Sequence, residues 1–95
     1  MIIGACRVRL DLPGCASLKE KRSRLKPLLA RLPKEFNVAV AEIGLQDVWQ
    51  SAEIALVTVA GGDAGGVEAR LEAMLRWLET HARDVDVVAT DLELR

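Results

Sequence analysis

Apolar and polar residues alternate along the first dozen positions of the chain. The even positions from 2 to 12 are apolar or glycine, whereas the odd positions include Arg7, Arg9 and Asp11. A period of two is typical of a β-strand with one buried face. The pattern therefore predicts a strand over residues 2–12 whose even-numbered side chains face the core, and Pro13-Gly14 ends it.

Two later segments have helical spacing. Ser17 and Glu20 form the pattern of a capping box, in which Ser17 is the N-cap and Glu20 is the third helical residue. The apolar stripe that follows predicts a helix with a bend at Pro27 and an end at Pro33. This stripe consists of Leu18, Leu25, Leu28, Leu29 and Leu32. A second stripe of the same period runs from Val67 to Ala82 and predicts a second helix.

Three more strands complete the predicted fold. Apolar segments over residues 36–43, 50–60 and 84–94 have the length and composition of strands, and residues 50–60 are apolar on both sides, which is typical of a central strand. The glycine-rich residues 61–66 form a connector, and without a Gly-Lys-Ser/Thr element they are no phosphate loop. The order βαββαβ predicts one α+β domain over residues 1–95, a ferredoxin-like sandwich with an antiparallel sheet in the order 4-1-3-2 and both helices on one face.

The sheet face without helices is expected to be an apolar patch that is large for a monomer. We therefore expect a homodimer, formed through this open face or through the edge of the second strand. Arg7 and Arg9 also point to the open face, where we expect them to pair with Glu53, Asp91 or Glu93. The apolar residues predicted for it are Ile3, Ala5, Ala55, Val57, Val59, Val87 and Ala89.

Two segments resemble the YlxP-like family of small bacterial proteins of unknown function. Residues 12–22 have the form L-P-G-x-x-S-L-K-x-K-R, and residues 36–50 have the form F-N-V-x-V-A-E followed by Q-D-x-W-Q. The resemblance implies a ferredoxin-like fold, dimers and a gene setting beside translation factors such as ribosome-binding factor A, without implying any activity. The chain departs from the family pattern at Gly44-Leu45, where Asp-His is common, and at Ser51, where a basic residue is common.

Charge is divided unevenly along the chain. The net charge is −1, but residues 1–34 hold nine basic residues and two acidic ones, whereas residues 35–95 hold four and twelve. Most of the basic residues fall on the first predicted helix, on its solvent side, where cations could contact the phosphates of RNA without reading bases. Together with the implied gene setting, this favours an accessory factor that binds ribosomal RNA or the ribosome. The candidate nucleic-acid-binding residues are Lys19, Lys21, Arg22, Arg24 and Lys26.

The alternative interpretation is a homodimeric protein-interaction or small-ligand regulatory module with no nucleic-acid role. It would bind its ligand or partner through Asp47, Trp49 and Gln50, at the entrance of the third strand.

Other functional classes find little support in the residue pattern. Cys6 and Cys15 form no C-x-x-C pair and are expected to be inert free thiols, and His81 has no obvious catalytic partner. We therefore expect no catalytic residues, no metal and no cofactor, and we lean against an enzyme. The apolar segments are too short for a membrane span, and the first residues do not read as a signal peptide, so a cytoplasmic location is expected.

Overall fold

A computed structural model describes residues 1–62 and 64–95, which form four strands and two helices. In chain order these are β1 (Ile2–Asp11), α1 (Leu18–Phe36), β2 (Ala39–Gly44), β3 (Ser51–Ala60), α2 (Ala64–His81) and β4 (Asp86–Leu94). The connector predicted over residues 61–66 is shorter than expected, because α2 begins at Ala64; Asp63 lies outside the described residues.

The four strands form one antiparallel sheet with the order β2-β3-β1-β4. This order is the predicted 4-1-3-2 read from the other edge, so the predicted ferredoxin-like arrangement is confirmed. The central strands β1 and β3 pair over their whole lengths, from Ile2 opposite Ala60 to Asp11 opposite Ser51. The even-numbered side chains of β1 face the helices, as the alternation predicts.

The core lies between the sheet and the helix layer. Each of β1, β3, α1 and α2 contributes fully buried residues to it, for example Val8, Leu56, Leu32 and Leu71 in that order. At Gly4, β1 passes so close to α2 that a Cβ atom would overlap the Val67 side chain. A glycine is therefore required where the first strand crosses under the second helix.

The first helix is longer than predicted. It continues through both prolines to Phe36, so the predicted end at Pro33 is wrong. A proline removes one intrahelical hydrogen bond, and the chain continues as a helix until Asn37 adopts the left-handed conformation and its N–H donates to the Pro33 carbonyl at 3.1 Å. As a result β2 begins at Ala39, three residues later than the predicted strand.

The last strand contains an irregularity that corrects the predicted open face. The pairing of β1 with β4 shifts between Arg9 and Leu10, where Leu10 lies opposite Val87 and Arg9 opposite Ala89. Val88 is the extra residue of this bulge and is 50% exposed. Because a bulge reverses the faces of the residues beyond it, Val87 packs against the core and does not belong to the open face as predicted.

Within residues 1–62 and 64–95, neither helix is long and apolar enough to cross a membrane.

Candidate functional site at the cleft between α1 and β2

The start of α1 is fixed by the predicted cap. The Ser17 hydroxyl accepts a hydrogen bond from the Glu20 N–H at 3.0 Å, and the Glu20 carboxylate accepts one from the Ala16 N–H at 2.7 Å. This second bond, with smaller help from the Cys15 thiol and Arg24, holds the pKa of the Glu20 carboxyl below its usual value. The cap fixes where α1 begins, and its buried leucines decide which of its basic side chains face β2.

Lys21 faces inward, which corrects its predicted place on the solvent side. Its side chain is 2% exposed, and its Nζ donates to the carbonyls of Leu45 at 2.7 Å and Val48 at 2.8 Å. Nζ also lies 3.1 Å from Glu42 Oε2, which is an ion-pair distance. The direction of this contact does not suit a hydrogen bond, so the buried Oε2 has no hydrogen-bond partner among residues 1–62 and 64–95. Lys21 therefore clamps the segment that follows β2 onto the first helix.

The segment between β2 and β3 is also fixed at its far end. The Gln50 side-chain amide donates to the Cys15 carbonyl at 3.0 Å, and the Leu12 N–H donates to the Gln50 carbonyl at 2.8 Å. Gln50, predicted to bind a ligand or partner, thus has a structural role in the fold. Asp47 and Trp49, the other two predicted residues, are exposed, and Trp49 is 45% exposed.

A cleft of about 420 Å³ lies between α1 and this segment. One wall comes from α1, and the other comes from the end of β2 and the residues beyond it. The residues that line it are Leu18, Lys21, Arg22, Leu25, Lys26, Leu29, Glu42, Gln46 and Asp47. The two segments that resemble the YlxP-like family meet here, because six of these nine residues belong to them. The cleft therefore combines an apolar wall with side chains of both charges.

Arg24, like Lys21, is occupied within the fold. Its guanidinium donates to the carbonyls of Pro13 at 2.8 Å and Asp84 at 3.1 Å, and its side chain is only 15% exposed. It also lies within ion-pair distance of the carboxylates of Glu20 and Asp84. Arg24 ties α1 to the two loops at the end of the sheet where β1 ends and β4 begins, so most of its side chain is not exposed on the helix surface as predicted.

Lys19, Arg22 and Lys26 remain as free cations of the predicted set, and we call them the basic stripe. All three side chains are exposed, and none takes part in an ion pair within the part of the chain that the structure describes. Spacings of three and four residues place them on one face of α1. Arg22 and Lys26 also line the cleft. The basic stripe therefore runs along one rim of the cleft.

Both cysteines are free thiols, as the sequence predicts, and both are buried. Burial raises the pKa of the Cys6 thiol, so this sulfur stays protonated near neutral pH. A buried, protonated thiol is a poor nucleophile.

Sequence reasoning missed the partnership between Lys21 and Glu42, and with it the cleft. A signal was present, since Glu42 is the one charged residue in the apolar segment 36–43. A charge on a strand at that position needs a partner on the layer that covers it. The position of Lys21 at the border of the leucine stripe is compatible with that role.

The fold and the cleft define a ferredoxin-like α+β protein with a charged groove beside its first helix. A family model described as "Protein of unknown function (DUF503)" matches residues 3–92. The chain belongs to this family. It is 33% identical over 79 residues to the uncharacterized protein YlxP of Bacillus subtilis (strain 168), a match that covers 83% of this chain and 85% of that protein. The predicted resemblance is therefore confirmed.

A solved structure supports the fold. A dimeric ferredoxin-like protein from an uncultured marine organism superposes with a TM-score of 0.55 at 10% identity, covering 100% of this chain and 96% of the other. At that identity the likeness concerns the fold alone.

Proposed function

We propose that this protein binds RNA through the basic stripe, by contact with phosphates. The observation that supports the proposal is that Lys19, Arg22 and Lys26 are exposed on one face of α1 and have no acidic partner among the described residues. The seven residue-to-residue steps along the helix from Lys19 to Lys26 cover about 10 Å, a length that reaches successive phosphates of one strand. Phosphate contacts of this kind supply affinity without sequence selection.

Ribosomal RNA is the partner that we favour. The resemblance implies a gene that lies beside genes for translation factors. Such a setting favours a role at the ribosome, whose RNA would be the binding partner. The sheet offers no platform for stacking bases, because Phe36, Trp49 and Trp77 are the aromatic residues of the chain and none lies on a strand. The helix layer is therefore the better candidate for the RNA-binding surface.

Reversing two charges of the basic stripe tests the proposal. We expect Arg22→Glu with Lys26→Glu to weaken binding to ribosomal RNA about 100-fold, since each charge-assisted contact contributes about 1.5 kcal/mol. Fluorescence anisotropy with labelled ribosomal RNA fragments measures the affinity, and circular dichroism checks the fold.

The matched control changes the same number of charges elsewhere. Arg76 and Arg83 are exposed residues of α2 and of the segment after it, so Arg76→Glu with Arg83→Glu gives the same net charge without touching the basic stripe. An equal loss of affinity in both double variants, or no loss in either, would overturn the proposal.

We further propose that the protein forms a homodimer through the open sheet face. Small apolar residues lie in register across this face: Val57 is opposite both Ala5 and Ala39, and Ala55 is opposite Ala41. Four strands about 4.8 Å apart, with lengths of 10, 6, 10 and 9 residues, offer roughly 550 Å² of flat area. Side-chain relief brings this close to the roughly 800 Å² of accessible surface that each partner of a stable interface buries.

The charges on the open face suit a second copy of the chain. Arg7 lies opposite Asp91 and Arg9 opposite Glu53, but the predicted ion pairs are not formed within residues 1–62 and 64–95. Cations and carboxylates on one face are available to pair across a twofold axis. A dimer of this kind leaves both helix layers, and therefore both basic stripes, directed outward.

A further inference from the structure

The cleft beside α1 holds groups of both charges that do not satisfy one another. Arg22 and Lys26 stand on one wall and Asp47 on the other, yet none of the three belongs to an ion pair in the described part of the chain. A ligand with an anionic group at one end and hydrogen-bond donors at the other could contact both walls. Its anion would face Arg22 and Lys26, and its donors would face Asp47.

The size and lining of the cleft match a nucleotide. Its volume of about 420 Å³ exceeds that of a nucleobase and leaves room for the attached sugar. Leu18 and Leu29 are half-buried and offer apolar surface to the faces of a planar ring. Sequence-specific proteins often take unstacked bases of single-stranded RNA into such pockets and read their Watson–Crick edges.

The wall of the cleft that carries Asp47 is held in place by hydrogen bonds within the protein. Lys21 fixes the carbonyls of Leu45 and Val48, which flank Gln46 and Asp47, and the Val48 N–H donates to the Leu45 carbonyl at 3.0 Å. The Asp47 carboxylate is therefore carried by a short, doubly anchored turn. A fixed acceptor favours ligands whose donors match its position.

We propose that this cleft takes a guanine base from the RNA strand whose phosphates lie on the basic stripe, with the Asp47 carboxylate accepting from the base N1–H and N2–H₂. This inference rests on the proposed RNA binding and adds base selection to it. An ionised carboxylate offers two acceptor oxygens and no donor. Guanine presents two adjacent donors on its Watson–Crick edge, whereas adenine, cytosine and uracil each place an acceptor beside their donor.

The test compares two single-stranded RNAs that differ by one guanine-to-adenine change, together with GMP and AMP, by isothermal titration calorimetry. We expect the guanine forms to bind about 10-fold more tightly, the discrimination typical of a bidentate base contact. Asp47→Asn keeps the shape of the side chain but replaces one acceptor by a donor, so it should abolish this ratio. Asp86→Asn, an exposed acid at the start of β4, is the matched control and should preserve the ratio.

The outcomes separate this inference from the proposed function. RNA binding that is sensitive to the basic stripe but equal for guanine and adenine would overturn the guanine site and leave phosphate binding intact. An unchanged ratio in Asp47→Asn would also overturn it. Selective binding of GMP without any binding of RNA would overturn the proposed function and, with it, the assignment of the guanine to an RNA strand.

Discussion

Replacing Lys21 with methionine is expected to lower the free energy of unfolding by about 3 kcal/mol, because the buried ammonium donates two hydrogen bonds to carbonyls, each worth about 1.5 kcal/mol. The change keeps most of the aliphatic side chain but leaves the carbonyls of Leu45 and Val48 and the buried Glu42 oxygen without their cation. Domains of this size are stable by about 5–15 kcal/mol in total. The loss should therefore be visible as a large shift of the urea unfolding midpoint.

Lys26→Met is the matched control for this measurement, because it replaces the same type of residue on the exposed side of the same helix. Its effect should stay within about 0.5 kcal/mol. Adding Glu42→Gln to Lys21→Met should recover part of the loss, since it removes the charge that the first substitution leaves unpaired. Equal midpoints for Lys21→Met and Lys26→Met would contradict the structural role of Lys21.

Val57→Glu is expected to convert the proposed dimer to monomers. Val57 lies at the centre of the open face, opposite Ala5 on one side and Ala39 on the other. A carboxylate buried there without a partner costs at least about 3 kcal/mol, so dimerisation should weaken at least about 100-fold. Sedimentation velocity over a concentration series should show wild-type protein at about twice the chain mass of 10.4 kDa and the variant at that chain mass.

The control for this change is Ala30→Glu, which introduces the same charge on the exposed surface of α1 and should leave the proposed dimer intact. A wild-type protein that stays monomeric at every concentration would refute the dimer. A Val57→Glu variant that stays dimeric would move the interface to another surface, such as the edge of β2.

The fold could be predicted from the sequence because its signals are local. Period-two alternation in β1 and the leucine stripe of α1 each specify an element and its buried face without reference to the rest of the chain. The error in the last strand arose where a distant partner decides. The bulge at Val88 depends on pairing with Arg9, far away in sequence, and nothing in the alternation of residues 84–94 indicates it.

The candidate site was predicted less well for the same reason. Helical spacing places Lys21 at the border of the apolar stripe, which is compatible with either an exposed or a buried ammonium group. The partners that hold the Lys21 ammonium inside are two carbonyls and a carboxylate, and they lie 21 to 27 positions further along the chain. Arg24 is similar, since one of its partners is Asp84. Counting charges on a helix therefore overestimated how many of them face solvent.

The dependence of RNA affinity on salt tests the central claim most directly. Each phosphate neutralised on a single strand contributes about −0.7 to the slope of log affinity against log salt, so three contacts by the basic stripe predict a slope of about −2. The measurement is a titration of unstructured RNA at several salt concentrations, by anisotropy, with the wild-type protein. A slope near −2 agrees with the account; a slope near zero, or no binding at the lowest salt concentration, would contradict it.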